Sequence, residues 1–380
     1  MADDIRLYNI RAQDLMSASV EQRRRVAPSN HRSMRTVVAA WPKIDLHRHL
    51  EGSLRLSTLA EIAQEHGVDL PSWDLEELRP YVQVVDDSPD FHAFLSKFRL
   101  LRRFYSTREA VMRVAYEAIA DAAADNVKYL ELRFNPVALA KVQGFSFEEV
   151  AEWVILATDN AQQDFDIQVR LIAQIGRDES PAVARQIAEV AAAYQDQGFV
   201  GIDLAGDEVN FSAARFADAF RWAKAQGLNV TIHAAEAGPA SNIREAIDLL
   251  GADRIGHGVR AMEDLSVMDL LIQRRVTLEM CPTSNLQTGV ISRLGQHPLW
   301  AYQQVGIPVT INTDDPSISN TTLTDEYLVA LRGIGMPLRA IQRMILAAAE
   351  AAFLPEIERR RLVEWFRQAL PPLGAGTLLK

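Results

Sequence analysis

Four histidines and a pair of aspartates carry the first chemical signal in this sequence. The run Ile44-Asp45-Leu46-His47-Arg48-His49 ends in an H-x-H pair. In an extended chain residues two apart point to the same side, so His47 and His49 can converge. His233 closes a later run, His257 another, and Thr313-Asp314-Asp315-Pro316 a third. Neutral imidazoles and a carboxylate suit a borderline cation such as Zn²⁺, and a catalytic ion also needs a position open to water. Any one of these histidines alone would be an ordinary structural residue; the set together points to a metal centre. Glu236 lies three residues beyond His233, a spacing less natural for a further ligand. In a desolvated pocket its charged form is disfavoured, which makes it a candidate proton donor. The structural alternative is a glutamate favoured at a helix start by the macrodipole.

Such residues need elements that bring them to one place. From Lys43 onward, short β-branched or apolar runs alternate with segments of helical period, the pattern of βα units around a parallel sheet. Eight runs are recognisable: Lys43–His47, Val127–Phe134, Ile167–Ile175, Val200–Gly206, Val230–Glu236, Arg254–Gly258, Val276–Pro282 and Val309–Asp315. Eight strands with intervening helices predict an α/β fold, a (β/α)8 TIM barrel, and the metal candidates then sit at strand C-terminal ends, where such barrels place their sites. The long gap after the first run is filled by amphipathic pieces, Leu56–His66, Leu75–Val82 and Phe91–Tyr105. A helical insertion there would lie over the barrel mouth as a lid or pocket wall. The expected organisation is an N-terminal extension over residues 1–41, a barrel over 42–354, and a C-terminal helix and tail over 355–380.

The chain has 380 residues, 50 acidic against 40 basic, a net charge of −10 and a single cysteine. An acidic chain with scattered basic residues lacks the footprint that nucleic acid or an anionic membrane surface attracts, so neither is an expected partner. Cys281 by itself closes no intrachain disulfide, and no apolar stretch is long enough to span a bilayer. The acidic start Met1-Ala2-Asp3-Asp4 is unlike a secretory signal, so a cytoplasmic location is expected. A zinc deaminase built on H-x-E and P-C-x-x-C is excluded by the lone cysteine.

Taken in order, these segments resemble the adenosine deaminases and close relatives of the amidohydrolase superfamily. The match runs through Pro42–Gly52, Leu130–Phe134, Gly201–Glu208, His233–Gly238, Gly256-His257-Gly258, Cys281–Asn285 and Asn312–Pro316. The resemblance implies that His47, His49, His233 and Asp314 bind one Zn²⁺ per chain. It implies that Glu236 protonates purine N1, that His257 orients the metal-bound water and takes its proton, that Asp315 meets N7, and that the Gly206 backbone meets N3. A second metal in such barrels would need a bridging lysine on a middle strand, and the fourth run has none. The expected partner is a small purine nucleoside or base; the sequence leaves oligomeric state open.

Two positions depart from the usual pattern. Ala235 stands where the family commonly has glycine, and Glu51 where adenosine-specific members carry aspartate against the ribose 5′-hydroxyl. Relatives that deaminate adenine often have glutamate there, and others accept aminodeoxyfutalosine with its bulky 5′ substituent. Phe94, Leu95, Phe98 and Leu101 resemble the apolar helix that covers nucleoside, which keeps adenosine first; helical packing explains the same spacing. Amide or lactone hydrolysis on the same barrel, and nucleoside binding without turnover, are the readings from other classes.

Overall fold

The computed structural model describes residues 31–372. Its centre is an eight-stranded parallel sheet in the order β1 to β8. The strands are β1 Lys43–His49, β2 Val127–Phe134, β3 Gln168–Gly176, β4 Phe199–Ala205, β5 Asn229–Ala234, β6 Arg254–His257, β7 Thr277–Met280 and β8 Val309–Ile311. The ring closes where β8 runs into β1: the Asp314 N–H donates to His47 O at 2.8 Å and the His49 N–H donates to Asp314 O at 2.9 Å. The protein is therefore a (β/α)8 barrel, as the alternation of runs predicts. Each strand lies within a residue or two of its expected start. Several end earlier: Glu236 falls beyond β5, after Ala235 in the left-handed conformation (φ 53°), and Asp314 (φ 65°) and Asp315 fall beyond β8.

The insertion after β1 folds as expected into short helices, Leu56–His66, Leu75–Val82, Phe91–Ser96 and Phe98–Leu101, followed by a 3₁₀ turn at Arg102–Phe104. Asp74 and Asp90 cap two of them, each accepting backbone N–H bonds from the first turn. The helix Arg108–Ala124 then returns the chain to β2. At the far end, the helix Glu356–Ala369 packs on Leu338–Ala351 through the buried Val363 and Phe366. Among the described residues no helix is long and apolar enough to cross a membrane. Most of the N-terminal extension, residues 1–30, and the tail from 373 lie outside the described residues.

The barrel interior is not purely apolar. Glu131, Arg133, Asp203, Arg254 and Glu279, all on strands, are essentially inaccessible to solvent. Burial of that many charges is tolerable only with mutual pairing, and the pairs lead directly to the mouth of the barrel.

Candidate active site

At the C-terminal end of the strands four donor atoms converge. His49 Nε2 lies 3.2 Å from His47 Nε2 and 3.3 Å from His233 Nε2. Asp314 Oδ1 lies 3.2 Å from His47 Nε2 and 3.1 Å from His49 Nε2. Ligands about 2.0–2.1 Å from a tetrahedral ion are separated by about 3.3 Å, so this spacing fits a single cation. Imidazole nitrogens and a carboxylate at this spacing form a donor set suited to a borderline divalent cation such as zinc. His257 also reaches the cluster, and His47, His233, His257 and Asp314 form a second possible quartet, with ligand atoms within 4.8 Å of one another.

Hydrogen bonds behind the rings decide between the two sets. His47 Nδ1 faces Glu279 Oε2 at 2.8 Å, His49 Nδ1 faces Gln174 Oε1 at 2.6 Å, and His233 Nδ1 faces Asp203 Oδ1 at 3.0 Å. Each partner is an acceptor, so each ring donates from Nδ1 and turns the Nε2 lone pair toward the centre. His257 Nδ1 instead faces the Asn285 amide nitrogen at 3.1 Å, a donor. The wider spacing of the second quartet and this opposite polarity favour the set containing His49. Arg133 ties the support together, donating to Asp203 Oδ2 at 3.1 Å and to Glu279 Oε2 at 2.8 Å. Burial alone would raise the Glu279 pKa, but the Arg133 and Arg254 guanidiniums outweigh it and hold the carboxyl well below its usual range.

Glu236 stands beside this cluster, its Oε2 3.6 Å from His257 Nε2. Burial, reinforced by the Asp314, Glu208 and Asp315 carboxyl groups, pushes its pKa well above the ordinary value, the direction a proton donor needs. The turn that presents it is clamped by Glu208, whose carboxylate accepts the N–H groups of Ala235 (2.9 Å), Glu236 (2.7 Å) and Gly238 (2.8 Å). That clamp holds Ala235 at φ 53°, where a side chain costs about 1–2 kcal/mol relative to glycine. His257 and Asp314 also have positive φ, 61° and 65°. Backbone strain thus gathers where donors are aimed.

A cavity opens above these atoms. Its lining includes His49, His233, Glu236, His257, Asp314, Asp315 and Gly206, with Phe94, Leu95 and Phe98 of the insertion on the outer wall. Leu101 is buried in the core instead. Glu51 is behind the wall rather than in it: Oε1 accepts the Asn135 N–H at 2.8 Å, while Oε2 is buried without a partner. Asp315 Oδ1 is a second buried oxygen without a partner. Unpaired buried acceptors are uncommon, and that of Asp315, which lines the cavity, is explained when a ligand supplies the missing bond. Sequence reasoning missed Glu208, Glu279, Asp203 and Gln174, although the charges of Asp203 and Glu279 inside strand runs were a visible signal. It also missed Arg102, Arg103 and Lys141, three exposed cations that line the cavity together with Asp178 and Glu179.

Comparison with known proteins agrees with this arrangement. A family model described as adenosine deaminase matches residues 42–369. An adenosine deaminase of Klebsiella pneumoniae is 37% identical over 326 residues, covering 86% of this chain and 98% of the relative. Among solved structures, the adenine deaminase of Arthrobacter aurescens superposes with a TM-score of 0.80 at 28% identity, covering 87% of this chain and 99% of its own. An Arabidopsis protein, ADAL, solved with IMP, gives 0.79 at 29% identity, covering 88% and 98%.

Proposed function

Since the chain belongs to the adenosine deaminase family, we propose that it replaces the C6 amino group of adenosine with oxygen and releases ammonia, using one Zn²⁺ held by His47, His49, His233 and Asp314. Membership makes it a hydrolytic deaminase of adenine-type small molecules; the choice of adenosine and zinc rests on the site. The observation that carries it is the buried Glu236 carboxyl, its pKa pushed up by burial, lining the same cavity as the four-donor cluster beneath Phe94, Leu95 and Phe98. Zinc, when bound, lowers the pKa of a coordinated water from about 16 toward about 7.

The chain's own residues prepare the purine. Glu236 delivers its proton to N1, which draws electron density from C6. Asp315 lies buried beside Asp314, and burial first, then that neighbouring charge, pushes its pKa well up. In its neutral form it donates to N7, an acceptor that a carboxylate could not engage. Gly206 has φ 105°, and its lack of a side chain lets the base approach the backbone at N3. Gly52 protects this geometry: a Cβ there would lie 1.8 Å from Asp315 Oδ1. Gly52→Ala is therefore expected to raise KM about tenfold or more by displacing Asp315, with kcat less affected, as steady-state kinetics will read.

One observation favours a second reading, a 6-aminopurine nucleoside with an anionic 5′ substituent. Arg102, Arg103 and Lys141 sit at the rim, and Arg102 lies 5.7 Å from the Phe98 ring centroid. The ADAL neighbour was solved with IMP, which carries a 5′-phosphate. The deciding experiment measures ammonia release from adenosine, adenine, AMP and aminodeoxyfutalosine by zinc-loaded protein, before and after chelation. Adenosine is expected to give the highest kcat/KM, with activity lost to the chelator and restored by zinc. Preference for the anionic substrates, abolished by Arg102→Ala with Lys141→Ala, selects the second reading; no ammonia from any of them overturns both.

A further inference from the structure

Behind His257 runs a chain of hydrogen bonds whose direction is fixed at its far end. The backbone N–H of Leu299 lies 3.2 Å from His297 Nδ1. A peptide N–H can only donate, so that nitrogen is an acceptor and the ring's proton is on Nε2. Burial lowers the His297 pKa to about 3, consistent with a neutral ring. His297 Nε2 then donates to Asn285 Oδ1 at 3.2 Å. This orients the amide, and its Nδ2 donates to His257 Nδ1 at 3.1 Å. Asn285, His257 and His297 are all buried, which shields the chain from competing solvent.

We propose that Asn285 and His297 are positioning residues that set the tautomer of His257, keeping its proton on Nε2 so that it is a hydrogen-bond donor into the site and neither a metal ligand nor a base. Nε2 points between Glu236 Oε2 (3.6 Å) and Asp314 Oδ2 (3.9 Å). An imidazole nitrogen that bears hydrogen has no in-plane lone pair, so proton acceptance there is removed and orientation of the attacking oxygen is what remains. The three other imidazoles have the opposite polarity because their Nδ1 atoms face oxygen acceptors. The tautomer follows from the protein alone; its consequence for turnover rests on the deaminase reading above.

Long-range ¹H–¹⁵N spectra of the imidazoles test it in the metal-free and the zinc-loaded protein at neutral pH. His257 is expected to show hydrogen on Nε2 in both. Asn285→Asp puts an acceptor opposite Nδ1 and should move the proton to Nδ1, freeing Nε2 to bind metal. The cobalt-loaded variant should then show the altered visible absorption of an added nitrogen ligand, with kcat down about a hundred-fold and KM within about threefold. His297→Gln preserves both contacts, an acceptor for Leu299 and a donor to Asn285, and should keep kcat within about threefold; His297→Leu should not. Hydrogen on Nδ1 of His257 in the wild type overturns the proposal, as does an unchanged tautomer in folded Asn285→Asp. The wild-type spectrum decides even if the variants fail to fold. A spectrum as expected from protein that does not deaminate would leave the tautomer assignment standing and remove only the substrate reading.

Discussion

Glu236→Gln is expected to lower kcat for adenosine by about a thousand-fold or more while KM stays within a few-fold. General acid catalysis by a positioned side chain contributes about 10²–10⁴-fold, so a thousand-fold, about 4 kcal/mol, is the loss expected when the proton donor goes. Glutamine retains the shape and can still donate a hydrogen bond to N1, but it cannot transfer the proton, so binding persists and chemistry does not. Burial first, then neighbouring acidic groups, push the wild-type pKa up. Because that pKa is raised, the active protonated form persists to higher pH than for an ordinary glutamate, and activity should fall as pH rises through it. The residual activity of the glutamine variant should lack this alkaline limb. A barrel that hydrolyses amides or lactones has no ring nitrogen to protonate, and its activity would largely survive the substitution. A nucleoside-binding protein without turnover would release no ammonia in either form.

The strands and the convergence of His47, His49, His233, His257 and Asp314 could be read from the sequence because both depend on local pattern. Apolar runs separated by helical periods specify a parallel barrel, and residues at the run ends necessarily meet at its mouth. What orients those residues depends on register between strands that are not neighbours. Glu279 on β7 reaches His47 on β1 and Arg133 on β2 through the barrel interior, and no spacing in the sequence encodes that crossing. Ala235 was visible as an added methyl group, but its left-handed conformation was not, because the Glu208 clamp that imposes it comes from the loop after β4. Asn285 and His297 are twelve residues apart. Nothing in their spacing links them; a single backbone N–H, that of Leu299, gives the chain its direction. Arg102 and Arg103 of the insertion and Lys141 after β2 come together only in the folded chain, where they line one cavity.

Glu279→Gln should have the other large effect, and it joins stability to the metal site. Glu279 accepts four bonds: from His47 Nδ1 at 2.8 Å, Arg133 Nη2 at 2.8 Å, Thr231 Oγ1 at 2.9 Å and Arg254 Nε at 2.6 Å. An amide replaces one acceptor oxygen with a donor and removes the charge that pairs two buried guanidiniums. Breaking a buried ion pair by removing one partner costs about 3–5 kcal/mol, so denaturant unfolding of the metal-free variant should show a loss of that order. If the new NH₂ turns toward His47, the ring loses its acceptor and the zinc-facing lone pair is no longer assured; affinity for zinc should then fall about 10–100-fold. Glu131→Gln is the matched control. Glu131 is equally buried and also pairs with Arg254, but its other partners are Tyr129 and the Phe353 backbone, and it touches no imidazole. It should lose stability while keeping zinc affinity, measured in the folded protein by competition with a chelator. Equal loss of affinity in both variants would mean that zinc binding follows barrel stability in general. Loss confined to Glu279→Gln would place the control in one hydrogen bond to His47.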